Sequence, residues 1–311
     1  MIRPLLESAR VSNLPTVWTN VLVGTAAVGH AGDVDSVALL RPLLVATLAV
    51  SLFYTGGMLL NDAVDADWDR EHKPDRPIPR GKLSRRFATW AAAATIVGGV
   101  LTPLLIGLVH PGNRVPFFTT AAWLVILIVA YDLLHKRSAW TSLLMGACRG
   151  MVYLIAASIA MGSGDPAGAG APDALAALDR ATEAAITPAR AILFYIVLVT
   201  LAARREDIAG ARLGRIWGFL LPLPYLIAAI AYRPDRLLWT IFVAAAFVGW
   251  TFRNARVASE GRIPQAVAGW LAGICLADAT LLMLLDRLDL AAIAVGCWLL
   301  TIILQRTVPG T

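Results

Sequence analysis

Ten apolar runs punctuate the chain, at about residues 14–30, 40–60, 86–109, 116–134, 140–161, 190–203, 214–232, 236–252, 264–285 and 289–305. A helix needs about 20 apolar residues to cross a hydrocarbon layer, so most runs read as membrane spans. Several are short, and nine spans fit as well as ten. The glycine- and alanine-rich stretch 162–187 reads as a long loop, with a short surface helix near 173–185. No internal repeat and no second domain are evident. The pattern predicts an all-α, polytopic transmembrane bundle of nine to ten helices around a central cavity. A single domain covers residues 1–311, with polar loops at about 61–85 and 204–213.

Composition sharpens this picture. Of 311 residues, 58% are hydrophobic and 15% charged, with a mean hydropathy of +0.68. An average soluble domain is about 25% charged. A soluble enzyme, a disordered chain and a secreted cysteine scaffold are therefore excluded. Cys148, Cys275 and Cys297 all lie in apolar runs and form no CxxC, so they read as small core hydrophobes. The net charge is +6. In a membrane protein such an excess gathers in cytoplasmic loops, which makes nucleic acid the weaker partner. With ten spans and a cytoplasmic N-terminus, 19 of the 27 Lys and Arg fall on the cytoplasmic side, 7 on the other, and Arg149 inside a span. The expectation is a multi-pass protein of a cell inner membrane, its N-terminus and polar loops cytoplasmic, with no cleaved leader.

The scarce acids concentrate after the second run, in Asn61-Asp62-Ala-Val-Asp65-Ala-Asp67-Trp-Asp69. On a helix, Asp62, Asp65 and Asp69 fall within about 60° of one another, while Asp67 and Glu71 point away. Three carboxylates on one face repel unless a cation sits among them. Mg2+ takes carboxylate oxygens and completes its shell with phosphate oxygens. The spacing therefore points to a Mg2+–diphosphate site; the alternative is an acidic solvated face balanced by nearby basic residues. Lys73 through Ser84 follows, broken by Pro77, Pro79 and Gly81. Lys73 and Arg76 are candidates to face a phosphate. Arg85 and Arg86 read as lipid-facing anchors.

NDAVDADWD followed by RPIPRGKLS resembles the first motif of the UbiA superfamily of intramembrane prenyltransferases, (N/D)DxxDxxxD with a downstream RPxxxG loop. Asn61, Asp62, Asp65, Asp69, Arg76, Pro77 and Gly81 match by position. Arg10 to Pro15 resembles the family's opening, where an asparagine, here Asn13, faces the cavity. Tyr131 to Arg137 resembles its tyrosine-to-lysine stretch, which implicates Tyr131 and Lys136. The resemblance implies Mg2+-dependent transfer of an isoprenyl group from a prenyl diphosphate to a lipophilic, sometimes aromatic, acceptor within the bilayer. The diphosphate ionises and the acceptor captures the carbocation. Asn61, Asp62, Asp65 and Asp69 are then the catalytic and metal-binding set. Trp18, Phe53, Tyr54, Trp68, Tyr131, Tyr153 and Trp217 are candidate cation-stabilising faces, each with span core or interfacial belt as its alternative.

The family's second motif, DxxxD, is absent. Its place reads Ala203-Arg204-Arg205-Glu206-Asp207, and position 211 is Ala211. This variant loosely resembles an EboC-like branch. The expectation is that Asp207 (or Glu206) keeps one metal contact while Arg204 or Arg205 replaces the charge of a second Mg2+. The competing reading is a non-catalytic or transport-type membrane protein that binds a prenyl or lipid diphosphate. A CDP-alcohol phosphotransferase is discounted, because Ala66 stands where its motif needs glycine. Arg149 and Asp278, costly in lipid, should face the bundle interior. Arg149 would pair with Asp132 or reach the diphosphate; Asp278 would orient an acceptor or pair with a basic neighbour. The four histidines show no metal spacing and read as interfacial.

Overall fold

A computed structural model describes residues 2–32, 37–111, 113–136, 138–163, 171–206, 208, 210–232 and 234–308. Within these the chain is helical. The helices are α1 (Ile2–Ser8), α2 (Leu14–Gly32), α3 (Leu40–His72), α4 (Arg85–Leu105), α5 (Arg114–Leu134), α6 (Ser142–Ala160), α7 (Ala171–Ala203), α8 (Trp217–Leu220), α9 (Leu223–Ala229), α10 (Leu237–Ser259), α11 (Ile263–Leu284) and α12 (Leu288–Thr307). Eight of them are long and apolar enough to cross a membrane. The 19-residue α2 runs through the middle of the bundle, against α3, α6, α7, α11 and α12.

Burial separates centre from rim. In the span of α11, 83% of residues are buried, against 22% in α4, α5 and α10. The rim helices present Trp90, Val97, Leu105, Trp123, Ile126, Trp239 and Phe242 outward, as lipid-facing helices must. The chain is thus an integral membrane protein. Helices meet closely where one side is glycine. A Cβ on Gly146 of α6 would sit 2.5 Å from the Leu193 carbonyl oxygen of α7, and one on Gly24 of α2 would collide with the Tyr153 carbonyl of α6.

Two parts of the hydropathy reading change. The stretch read as a loop with a short surface helix is instead the front of α7, one 33-residue helix that runs unbroken through Pro188. Its first turns are small and polar-interrupted, so no apolar run marks them. The run at 214–232 is a broken pair, α8 and α9, separated by Leu221 and Pro222. Pro222 has no N–H to continue α8 and instead caps the start of α9.

The length of α3 places the polar residues. Thirty-three residues extend about 50 Å, well past a hydrocarbon layer of about 30 Å. Its last three turns therefore emerge at one end of the bundle, where the aspartates lie.

Candidate active site

A cavity of about 540 Å³ opens at that end. The face of α3 that lines it is Tyr54, Met58, Asn61, Asp65 and Trp68, spaced four and three residues apart, as one stripe of a helix requires. Asp62 and Asp69 occupy the neighbouring stripe. Both are buried, at 5% and 1% exposure, but neither lines the cavity. Asp67 and Glu71 lie on the exposed side.

Three carboxylates on one face demand positive charge, and the chain supplies it. Arg76 Nη1 donates to Asp69 Oδ2 at 2.8 Å and stands 3.7 Å from Asp62 Oδ1. Arg10 Nη2 lies 3.8 Å from Asp62 Oδ1 and 3.4 Å from Asn61 Oδ1. Lys136 Nζ approaches Asp65 Oδ1 to 2.6 Å, and His135 Nε2 approaches Asp65 Oδ2 to 3.2 Å. The Lys136 ammonium also sits 4.3 Å above the Trp68 ring. Basic side chains thus stand against all three carboxylates.

Local structure explains how the loop delivers Arg76. Ile78 and Leu83 are buried against Leu59, Ala63, Ala66, Ala88 and Ala92 of α3 and α4. Pro77 O accepts from the N–H groups of both Lys82 and Leu83, which closes a compact turn. Gly81 takes φ +70, a conformation that favours glycine. Ser84 caps α4 by accepting from Phe87 N at 3.1 Å. The loop is pinned at both ends and folds back, so Arg76 points at Asp69 and Lys73 lines the cavity.

The other walls come from the rest of the bundle. Arg10, Asn13 and Thr16 line one side; Tyr131, His135 and Lys136 come from the end of α5 and just after it; Thr141 comes from the turn before α6, and Met145 and Arg149 from α6; Ile196 to Glu206 come from α7 and the turn after it; Val267 and Leu271 come from α11. Tyr54, Met58, Tyr131, Met145 and Arg149 also border an adjoining apolar slot of about 80 Å³, which Phe53, Leu124, Ile128 and Val152 help to close.

Of the residues singled out from sequence, Asn13, Asn61, Asp65, Lys73, Arg76, Tyr131, Lys136 and Arg204 meet at this cavity. Arg205 is exposed and stands outside it, because residues 204 and 205 point different ways from the end of α7. Asp207 lies outside the described residues. Arg204 is committed to the scaffold: its Nη2 donates to the carbonyls of His135 at 2.6 Å and Ser138 at 2.5 Å, and to Thr141 Oγ1 at 3.1 Å. It clamps the α5–α6 turn to the end of α7. Arg85 is no lipid anchor; it donates to Asp67 Oδ2 at 2.9 Å. Among the aromatic candidates, Tyr54, Trp68 and Tyr131 line the cavity and Phe53 the slot. Trp18 donates to Ser51, while Tyr153 and Trp217 lie in the core cluster or against it.

Four participants escaped the sequence reading. Arg10 takes a left-handed φ of 46° between α1 and the following turn, and Tyr54 Oη donates to its carbonyl at 3.4 Å. His135 reads as interfacial from sequence but faces Asp65. Asp132 accepts from Asn61 Nδ2 at 3.1 Å, so it orients that amide. Thr141 braces the turn. Arg10, Asp132 and His135 stood inside stretches already marked by resemblance, but nothing in their spacing gave these roles; Thr141 had no signal. Asp278, at 0% exposure, forms no direct ion pair among the described residues, though the Arg149 charge acts on it: it accepts from Thr19 and Asn20, each at 2.6 Å, and from Tyr153. Arg149 donates to Thr16 and forms no ion pair with Asp132 among the described residues.

Comparison with known proteins places this geometry. The profile of the UbiA prenyltransferase family matches residues 17–256, well over half of the chain. The chain is 34% identical over 91 residues to a digeranylgeranylglyceryl phosphate synthase of Thermococcus gammatolerans, covering 29% of this chain and 31% of that one. It is 40% identical over 76 residues to the synthase of the same name from Methanoculleus marisnigri, covering 24% and 26%. These matches span about a third or less of each relative's length. Among solved structures, one concerning a digeranylgeranylglyceryl phosphate synthase aligns over 92% of this chain and 99% of that one, with a TM-score of 0.55 at 16% identity. An apo UbiA homologue from Aeropyrum pernix K1 aligns over 87% and 96%, with a TM-score of 0.54 at 14% identity. At such identities the likeness shows the fold.

Proposed function

The chain belongs to the UbiA prenyltransferase family, and from that premise we propose that it transfers an isoprenyl group from a prenyl diphosphate to a lipophilic acceptor inside the membrane, with Mg2+ accompanying the diphosphate. The observation that carries this reading is a cavity in which Asn61, Asp65 and a ring of cations form the mouth, with an adjoining slot of aromatic and apolar side chains as its depth. A diphosphate suits the first region and an isoprenoid the second.

The donor set suits Mg2+ arriving with its substrate. Asn61 and Asp65 face the cavity, and Asp69 Oδ1 is buried with no hydrogen-bond partner among the described residues. No group of three or more His, Cys, Asp or Glu among the described residues could hold an ion unaided. Phosphate oxygens would therefore complete the shell, the usual arrangement for Mg2+. Asn61 and Asp65, which face the cavity, are the residues that would hold it. Bound there with the diphosphate, Mg2+ would supply neutralisation of the charge developing on the leaving group.

The protein's own groups do the rest. Arg76, Arg10 and Lys136 exchange carboxylate oxygens for phosphate oxygens, so charge-assisted bonds replace charge-assisted bonds, and Lys73 adds its ammonium from the cavity wall. The C1–O bond breaks with both electrons passing to the diphosphate. Tyr54, Trp68 and Tyr131 offer ring faces to the allylic cation. The acceptor's nucleophilic atom bonds to C1, and the proton it sheds departs with the diphosphate. The apolar depth keeps water from quenching the cation. The excess of basic residues in the loops supports a cytoplasmic mouth and a place in an inner membrane.

The test is purified protein in lipid nanodiscs with Mg2+ and radiolabelled prenyl diphosphates of several lengths, reading diphosphate release and lipid-soluble product for wild type and Asp65→Asn. Release that the substitution abolishes supports prenyl transfer. Tight donor binding with no turnover against any acceptor would instead make the protein a binder of lipid diphosphates.

A further inference from the structure

Gln305 lies near the end of α12 and lines neither the cavity nor the slot, yet its side chain ends on a residue of the site. Its Nε2 donates to Asn13 Oδ1 and to the Ala268 carbonyl of α11, each at 3.1 Å. The backbone fixes the sense of this contact. A carbonyl can only accept, so the Gln305 atom that meets Ala268 O is the NH2, and the Asn13 atom that meets that NH2 is the oxygen. The amide NH2 of Asn13 therefore turns the other way, where it reaches the Tyr54 hydroxyl. Tyr54 Oη in turn donates to Arg10 O at 3.4 Å, and the Asn13 N–H donates to the same carbonyl at 3.0 Å. One directed set of hydrogen bonds thus joins α12 and α11 to α3 and ends on the backbone of Arg10.

That end point is strained. Arg10 holds φ 46° and ψ 47°, the left-handed region, which is unfavourable for any residue with a Cβ. Such a conformation persists where its surroundings over-determine it. The two hydrogen bonds to the Arg10 carbonyl do so here. The turn also sets where the side chain goes. It separates α1 from the turn Val11–Asn13 and sends the guanidinium to 3.4 Å from Asn61 Oδ1 and 3.8 Å from Asp62 Oδ1. A right-handed Arg10 would carry α1 onward and take the guanidinium off that line. Asn13 is 7% exposed, so water is a poor substitute for the Gln305 amide.

Resting on the prenyl-transfer reading, we propose that Gln305 is a positioning residue for the donor: it holds Asn13 and Tyr54 against the Arg10 turn, keeps that turn left-handed, and so aims the Arg10 guanidinium at the diphosphate. Gln305 itself touches neither substrate. Its effect reaches the diphosphate only through Arg10, and that dependence separates positioning from plain support of the fold.

The experiment is a double-mutant cycle on nanodisc-embedded protein. Calorimetry reads the affinity and stoichiometry of a non-hydrolysable prenyl thiodiphosphate with Mg2+. Gln305→Met keeps the length of the side chain and removes both donations; Gln305→Glu keeps its shape and, ionised, offers Ala268 O no proton. Each should weaken donor binding roughly 3–10-fold, the contribution of one hydrogen bond, at unchanged stoichiometry. Arg10→Ala should weaken it by about tenfold or more, as the loss of a charge-assisted contact does. In the Arg10→Ala background either Gln305 substitution should weaken it by less than about twofold, because the guanidinium it serves is gone. Equal losses with and without Arg10 overturn the proposal, since independent effects add. So does wild-type affinity in both Gln305 variants, or a lower stoichiometry at unchanged affinity, which marks support of the fold alone. Absent donor binding in wild type would instead overturn the prenyl-transfer reading beneath it.

Discussion

Two carboxylate environments in this bundle answer the same electrostatic problem in opposite ways. At the mouth, Asp62, Asp65 and Asp69 face Arg10, Arg76, His135 and Lys136 at 2.6–3.8 Å. In the core, Asp278 takes its hydrogen bonds from neutral donors: one threonine, one amide and one phenol, contributed by α2 and α6. Arg10, Arg76 and Lys136 sit on flexible stems beside a 540 Å³ cavity and can trade a carboxylate for a phosphate. The donors around Asp278 are fully buried on packed helices and have nowhere to turn. Exchangeable partners belong to a site; fixed partners belong to the scaffold. Every prediction below presses on that distinction.

The largest effect should come from Asp65→Asn. It removes the carboxylate that faces the cavity while keeping the shape of the side chain. Prenyl transfer should fall about 10²–10³-fold, the range for deleting one transition-state electrostatic contact. Circular dichroism and the melting temperature in detergent should barely change. A variant that keeps full activity would break the comparison, because Asp65 would then be as structural as Asp278.

Asp278→Ala should do the reverse. It orphans Thr19, Asn20 and Tyr153 in a core from which water is excluded. Each unsatisfied buried group costs about 1–3 kcal/mol, so a loss of roughly 3 kcal/mol or more is expected, read as a lower melting temperature. Protein that survives should still bind prenyl diphosphate. Unchanged stability with lost catalysis would move Asp278 into the site.

Arg76→Ala ranks third. The guanidinium spans Asp62 and Asp69 and lines the cavity. Its loss should weaken donor binding roughly 10–30-fold, in line with a charge-assisted contact of about 1.5–2 kcal/mol. It should also leave Asp69 with both oxygens bare, and the added negative charge beside the site should lower the Mg2+ needed for half-maximal activity. A Mg2+ titration beside wild type checks the second effect.

The contrast between the two regions also explains what could be read from sequence. The apolar runs place the spans because the bilayer imposes one length and one solvent on each. The aspartates of the mouth are legible because they share a single helix, where spacing fixes direction. Asp278, Tyr153, Thr19 and Asn20 come together from three helices, and no spacing along one helix records that meeting. Arg10 reaches Asn61 and Asp62 across 51 and 52 positions of chain, and its left-handed turn leaves no compositional mark. Arg204 looks like a phosphate ligand by composition, yet two carbonyls claim it. Charge says what a residue can bind, while packing decides which partner arrives first. The front of α7 was hidden for a plainer reason: its small and charged residues carry no hydrophobic period, and helical structure continues into them from the span behind.

The smallest effect is the most informative about the helix face. Asp67 is two residues from Asp65, but two residues turn a helix by about 200°. Asp67 stands 66% exposed, with Arg70 and Arg85 as partners. Exposed pairs of this kind contribute little, and salt screens them. Asp67→Asn should therefore leave activity within about twofold of wild type and should not move the melting temperature measurably. Composition cannot distinguish Asp65 from Asp67, since both are aspartates in one acidic run and both are matched by basic residues. Only the α3 geometry separates them. If Asp67→Asn proved as damaging as Asp65→Asn, charge density along the run would govern the site, and the division into a cavity stripe and a solvent stripe would fail. If it proved silent, the same helical turn that hides Asp69 and exposes Glu71 would account for which acids the reaction uses.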